Sequence, residues 1–264
     1  MCQLACWHKD SLHSKAVTGF EIFLYELSAL LLTVVSATAL CCCARYLGPN
    51  ILPPLLAGSV VTSIFISEKL GDIHVPALGI ISISGSILIY SSTFLLTDVM
   101  SELYGKKFAH AAVVGTALCY PIVLLATQFS IYWEPSQLYT NQLSFESVMS
   151  FAGRVTVASL LSYMVSQTFD VWAFHRIKAR TGEAKLWLRN NGSTVASQLL
   201  DTAIFYGIAF FGIIPTAQLI QLILATYTLK IVIALIDTPF VYFVIWFVRR
   251  GQHCPQPILP AEDN

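Results

Sequence analysis

Long apolar runs separated by short polar intervals dominate the chain. Measured against the roughly 20 apolar residues that cross a bilayer's hydrocarbon core, they predict seven membrane helices, at residues 20–44, 51–67, 75–96, 108–131, 155–174, 193–211 and 219–248. The first is clean apart from Glu21 and Glu26 near its outer end. The second is short and opens on Pro53 and Pro54, which a first helical turn tolerates because the donors they lack have no partner there. The last is long enough to tilt or kink, with Pro239 the natural kink site. Two runs break the apolar pattern at mid-depth. STVASQLLDTAIFYGIAFFG carries Asp201, and LIQLILATYTLKIVIALIDTPFVYFVIWFV carries Lys230 and Asp237. Each intramembrane charge costs roughly 2.5–3.5 kcal/mol on insertion scales, so the three together cost on the order of 8–10 kcal/mol before pairing.

Spacing turns these polar positions into faces. Thr194, Gln198, Asp201 and Phe205 recur at four, three and four residues and share one side of the sixth helix; Tyr227, Lys230, Ala234 and Asp237 do the same on the seventh. A short turn around Pro215 makes the two helices antiparallel neighbours, within reach of an Asp201–Lys230 ion pair. Polar stripes also serve as simple interhelical glue, but three charges at mid-depth point to a site. A second constellation is TDVMSELYGKK at 97–107, where Asp98 and Glu102 share a face and Lys106, one turn on, is the expected partner; a solvated helix end closed by Gly105 is its plain explanation. A third is SQTFDVW at 166–172, with Asp170 near the helix end, followed by His175 and Arg176. Helix capping or a bridge to Arg176 is its plain explanation. Asn191-Gly192-Ser193 matches a glycosylation sequon, although an N-cap role for Ser193 fits its expected inner location better.

Composition places the chain in a class. Of 264 residues, 56% are hydrophobic and 11% charged, and the mean hydropathy is +0.68, far from the roughly 25% charged residues of soluble domains. This is the composition of an all-α, polytopic membrane helix bundle. A net charge of zero gives nucleic-acid binding no support. The cluster Cys41, Cys42 and Cys43 at a helix end reads as small packing groups, and the first 15 residues lack the apolar stretch of a cleaved signal. Ten basic residues (Arg45, Lys106, Lys107, Arg176, Lys178, Arg180, Lys185, Arg189, Arg249, Arg250) fall in one set of loops, and four (Lys9, Lys15, Lys69, Arg154) in the other. Positive residues favour the cytoplasm. The C-terminus is therefore expected inside and, with seven spans, the N-terminus outside. There is no phosphate-binding loop, no His-Glu-x-x-His or Cys-x-x-Cys pair and no nucleophile elbow, so neither ATP hydrolysis, a metal, a cofactor nor covalent catalysis is expected.

Four blocks together resemble the queuosine precursor transporters, the vitamin uptake transporter-like family: TDVMSELYGKK at 97–107, SQTFDVWAFHRIK at 166–178, WLRNN from Trp187 leading into STVASQLLDTAIFYGIAFFG, and YTLKIVIALIDTPFVY at 227–242. They cover roughly the last two thirds of the chain. The resemblance implies a six-helix core similar to the substrate-binding components of energy-coupling-factor transporters. It also implies uptake of a 7-deazaguanine (preQ0, preQ1 or queuine) across a bacterial inner membrane for tRNA modification, with no dedicated ATPase. Residues 1–50 then form an N-terminal extension with one extra helix, 51–250 the transporter core and 251–264 a cytoplasmic tail. A carboxylate suits the paired ring N–H and exocyclic amine of a guanine-like edge, a role for Asp201 or Asp237. Lys230 or Gln198 suits the carbonyl, and Phe205, Tyr227 or Trp187 the flat ring; Tyr206 falls on another face. The candidate substrate-binding set is Gln198, Asp201, Phe205, Tyr227, Lys230, Asp237, Asp98, Asp170 and Asn191. Expected partners are the nucleobase and the lipid bilayer, with ion coupling through Asp98 or Asp170 open. The competing readings are a binding subunit of an ATP-driven uptake system and an intramembrane enzyme using Asp201 and Asp237, against which Lys230 between the two acids argues.

Overall fold

The computed structural model describes residues 19–67, 69–75, 79–150, 152–182 and 185–251. Among the described residues the regular structure is helical apart from one hairpin. Helix α1 spans Gly19–Cys42 and is followed by a single turn, α2, at Ala44–Leu47. Gly48, at φ 81°, redirects the chain into a 3₁₀ turn at Pro49–Ile51 and helix α3 at Leu52–Ile66, whose prolines occupy the first turn as expected. Strands β1, Leu70–Val75, and β2, Gly79–Ser84, pair antiparallel with Leu70 opposite Ser84 and Val75 opposite Gly79.

The expected helix at 75–96 therefore begins late. Its first ten residues, VPALGIISIS, join Pro and Gly to alternating isoleucine and serine, a period-two, β-branched pattern that suits a strand better than a helix. Gly85 carries the chain out of the hairpin against the end of α3, where a Cβ would stand 3.1 Å from the Ile66 carbonyl. Helix α4 then covers Ile87–Ala117 with a break at Gly105, at φ 84° and ψ 175°, so the third and fourth expected helices meet where that glycine was expected to close a turn. Helix α5 follows at Cys119–Tyr132, α6 at Gln142–Ser150, α7 at Ala152–Thr181, α8 at Leu186–Phe210 and α9 at Thr216–Gly251, with Pro239 inside α9.

Four of the described stretches are long and apolar enough to cross a membrane: Pro49–Ile66, Ser92–Tyr132, Gln142–Thr181 and Thr216–Arg250. Helix α8 is too polar to join them, and it is among the best enclosed. Arg189, Asn190, Ser193, Thr194, Ser197, Gln198, Asp201 and Thr202 on it are all buried. Ser193 is mid-helix, donating to the Asn190 carbonyl at 3.3 Å, because α8 starts seven residues earlier than the apolar run suggested; it caps nothing. Beside α8 lies the first half of α4, buried at every residue from Ser92 to Glu102. A helix covered all round is the centre of its bundle. Helices α3, α7 and α9 pack around this pair, and Gly192 lets α7 approach α8 so closely that a Cβ would meet Ile177 at 3.1 Å.

The outside has the opposite character. Leu118, which caps α5, and Ile122, Leu125 and Phe129 on it form a stripe at helical spacing, each 64–70% exposed, as expected of a face against lipid tails. Aromatic residues stand exposed toward each end, Trp187 and Trp246 at one and Tyr132 and Trp133 at the other, as in interfacial belts. The expected basic end gathers as a structural layer: Arg45 donates to the Phe247 carbonyl at 3.3 Å and lies over that ring, near a cluster built on Glu102. At the opposite end Arg154 donates to the carbonyls of Ile208 and Phe211 at 2.7 and 2.8 Å, satisfying the C-terminal turn of α8.

Candidate functional site

The antiparallel pairing of α8 and α9 brings their polar stripes face to face. Lys230 donates to Asp201 Oδ2 at 2.6 Å, with both side chains largely buried. The carboxylate also accepts from the Tyr90 hydroxyl on α4 at 2.9 Å and from Ser166 on α7 at 3.2 Å, so four helices hold it. The ammonium sits 5.4 Å from the centroid of the Tyr90 ring. A short charge-assisted contact of this kind balances the burial of both ions. Removing either partner strands the other.

The pair stands on the wall of a cavity of about 60 Å³, several times the roughly 10–15 Å³ that one water needs. Tyr90, Tyr120, Phe205 and Tyr206 supply aromatic wall; Ser63, Ser159 and Ser162 supply hydroxyls; Ser84 and Ser86 close it from the hairpin side. Phe205 and Tyr206 lie 5.2 Å apart with their rings nearly perpendicular. The expectation that Tyr206 faces elsewhere is corrected: its ring reaches the cavity and its hydroxyl bonds Thr226 on α9 at 3.1 Å. Adjacent helical residues differ by about 100°, close enough for two large rings to flank one opening.

Deeper toward the basic end, a second cavity of about 10 Å³ is lined by Asp98, Asn190, Thr194, Gln198, Asp237 and, again, Lys230. Lys230 thus belongs to both walls. Asp98 accepts from Thr194 at 3.3 Å, and Asp170 accepts from Ser197 at 2.9 Å. The two acids also face each other across α4 and α7. The bridge from Asp170 to Arg176 does not form; Arg176 is exposed whereas Asp170 is fully buried one and a half turns earlier.

Glu102 closes this polar column at the basic end. It takes Arg189 in a two-pronged grip, Nε to Oε2 at 3.1 Å and Nη2 to Oε1 at 2.8 Å, and also accepts from Lys178 at 3.1 Å and Arg249 at 2.8 Å. Lys106, its expected partner, is exposed beyond the Gly105 break. A positive φ in mid-path rotates the next turn away from the face that Asp98 and Glu102 share. Glu102 is thereby a clamp joining α4, α7, α8 and α9.

Of the residues singled out in the sequence, Asp201, Phe205 and Lys230 meet at the first cavity, and Gln198, Asp98, Asp237 and Lys230 at the second. Asp170 stands behind Asp98. Tyr227 and Asn191 reach neither: Tyr227 donates to the Val195 carbonyl at 3.2 Å, and Asn191 accepts from Thr238 at 3.0 Å, so both tie α8 to α9. The neighbouring Asn190 is the one turned inward. Tyr90 and Ser166 were not anticipated. Nothing in an apolar run marks which tyrosine or serine will face a carboxylate on another helix, although Ser166 heads the SQTFD block.

Residues 84–244 match the family model described as "Putative vitamin uptake transporter". The chain is 36% identical over 172 residues to a protein of Bacillus subtilis named "Probable queuosine precursor transporter", an alignment covering 64% of this chain and 73% of that one. It is 25% identical over 182 residues to the "Queuosine precursor transporter" of Escherichia coli K12, covering 67% and 77% of the two chains. A Haemophilus influenzae protein named "Probable queuosine precursor transporter" is 25% identical over 127 residues, covering 47% and 50%. No solved structure matches.

Proposed function

The chain belongs to the vitamin uptake transporter family, and from that premise we propose that it imports a queuosine precursor, a 7-deazaguanine base such as preQ0, preQ1 or queuine, across the bacterial inner membrane for tRNA modification. It is a multi-pass membrane protein. The observation that carries the substrate reading is the buried Asp201–Lys230 pair on the wall of an aromatic cavity. A guanine-like edge presents a ring N–H and an exocyclic amine side by side, from which one carboxylate accepts two hydrogen bonds together, and its carbonyl accepts a hydrogen bond from an ammonium. Before the base arrives the two groups satisfy each other. On binding, each trades one charged partner for a polar one, so neither is left bare in a low-dielectric interior. Phe205, Tyr206 and Tyr90 supply the rings against which a flat base stacks. Gln198, Asp98, Asp170 and Asp237 lie one layer deeper, on the path toward the basic end.

In this reading residues 51–250 form a six-helix core akin to energy-coupling-factor substrate-binding components, α1 is an added seventh span, and the basic end with the C-terminus faces the cytoplasm, where incorporation into tRNA traps the base. The relatives' names support this reading over an intramembrane enzyme or an ATP-driven binding subunit. The test uses a bacterial strain lacking both synthesis and import of these bases, complemented with this chain and offered preQ0, preQ1 and queuine separately, with queuosine in tRNA as readout. Wild type restores it with at least one base. Asp201→Ala and Lys230→Ala each reduce it at least about 100-fold, the loss expected when a buried charge loses its partner, while the protein still reaches the membrane. Normal uptake by both variants sinks the site assignment.

A further inference from the structure

The second cavity is a poor place for a base and a good one for a single small ion. Four side-chain oxygens around it have no hydrogen-bond partner: Asp98 Oδ1, Asn190 Oδ1, Gln198 Oε1 and Asp237 Oδ1. All four residues are at least 95% buried. Orphaned acceptors at that depth are rare, because each carries the full cost of its lost hydration. Two of them are neutral amides, so the cluster is more than a gathering of acids, and every one of the four is an acceptor. The missing partner is therefore a hydrogen-bond donor or a cation.

Charge counting agrees. Glu102 is matched by the cations clamped on it, and Asp201 by Lys230. Asp98, Asp170 and Asp237 make no salt bridge among the described residues. A single cation bound among the four oxygens would partner Asp98, Asn190, Gln198 and Asp237 together. The cavity measures about 10 Å³, the room of one water-sized occupant. That is too little for magnesium with the several waters it retains, and four oxygens are too few for calcium's usual six to eight ligands. Carboxylate and amide oxygens suit a hard cation and offer nothing to soft metals.

We propose that Asp98, Asn190, Gln198 and Asp237 form a sodium site. Among the described residues Lys230 is the one cationic side chain on its wall, and its ammonium is drawn away by Asp201 at 2.6 Å. When a substrate group takes over Asp201, the Lys230 ammonium is released toward the second cavity and repels the bound ion. One residue shared by two cavities thus couples their occupancy. The coupling rests on the transport reading above, whereas the ion site itself does not.

The test is made on the purified full chain with no base present. Melting temperature is followed during titration with sodium chloride against choline chloride at constant ionic strength, and binding of radioactive sodium is measured directly. Sodium at roughly 100 times its half-saturating concentration raises the melting temperature by about 5 °C or more over choline, with one ion bound per chain. Asp237→Asn and Gln198→Leu each weaken sodium binding at least about tenfold. An equal response to choline, or no bound sodium, overturns the site. So does sodium binding that survives both substitutions. Because wild type alone decides the first point, a variant that fails to fold does not rescue the proposal, and uptake without sodium binding leaves the transport reading standing.

Discussion

Asp98 and Glu102 sit one turn apart on the same face of α4, and both are almost completely buried. Glu102 is held by Arg189, Lys178 and Arg249 through four hydrogen bonds. Asp98 has one hydroxyl, from Thr194, and an oxygen with no partner. A saturated acid is a structural rivet: its ions are desolvated, and their mutual geometry supplies what water gave up. An acid left short of partners in the same environment persists only where the rest of the fold holds it there, and such residues concentrate at working sites. The difference between the two carboxylates separates the frame of this bundle from its interior path.

The strongest way to break that contrast is to remove the rivet. Glu102→Ala leaves Arg189 buried without its carboxylate, and loss of about 3–5 kcal/mol is expected. A thermal melt of the detergent-solubilised protein, with Glu102→Gln alongside, measures it. A variant that melts like wild type shows that the clamp does not support the fold.

The next substitution sharpens the contrast from the other side. Asp98→Asn removes a charge with no cation beside it, so stability is expected to stay within about 1 kcal/mol of wild type or to rise. Transport is expected to fall at least about tenfold, since the proposed ion site loses a carboxylate's charge. Paired melting and uptake measurements decide the matter. A large drop in melting temperature with normal uptake makes Asp98 a second rivet and dissolves the distinction.

Arg249→Ala probes the rim of the clamp. Its side chain is 53% exposed and donates to Glu102 at 2.8 Å, while Arg189 and Lys178 remain in place. Half-exposed ion pairs contribute roughly 0–1 kcal/mol, so the melting temperature should move only slightly, and less in high salt than in low salt. A salt-independent loss comparable to that of Glu102→Ala places the centre of the clamp at Arg249 rather than Arg189.

What the sequence disclosed follows from how each signal arises. Asp201 and Lys230 are legible because a charge inside an apolar run is conspicuous and a short turn between two helices fixes their pairing. The late start of α4 was hidden because VPALGIISIS is apolar enough to pass for membrane helix, and only its period-two alternation betrays the hairpin. Glu102 was matched to the wrong cation for a backbone reason: Lys106 is near in sequence, but φ 84° at Gly105 turns it away, while the true partners are 76, 87 and 147 residues distant. Distance along the chain carries no signal for contacts of that kind. The split of the polar stripes into two cavities was equally out of reach, since it depends on Tyr90 from α4 reaching Asp201 and on Asn190, rather than Asn191, facing inward.

Tyr227 offers the finest test. It shares the stripe of Lys230, Ala234 and Asp237, and by spacing alone it ranks as a base-stacking ring. In the fold its hydroxyl donates to the Val195 carbonyl, and its side chain is absent from the walls of both cavities. An interhelical hydrogen bond of this type averages about 0.6 kcal/mol in a membrane bundle, so Tyr227→Phe should lower the melting temperature barely beyond error and change uptake less than about twofold. Phe205→Ala, by contrast, removes a ring that lines the first cavity one turn beyond Asp201 on α8 and should cut uptake roughly tenfold or more at the stacking value of about 1–3 kcal/mol per base. If the two substitutions exchange these outcomes, the base stacks against α9 rather than α8. The substrate then lies on the far side of Lys230 from the aromatic cavity, and the division of one polar column into frame, base site and ion site has to be redrawn from that residue outward.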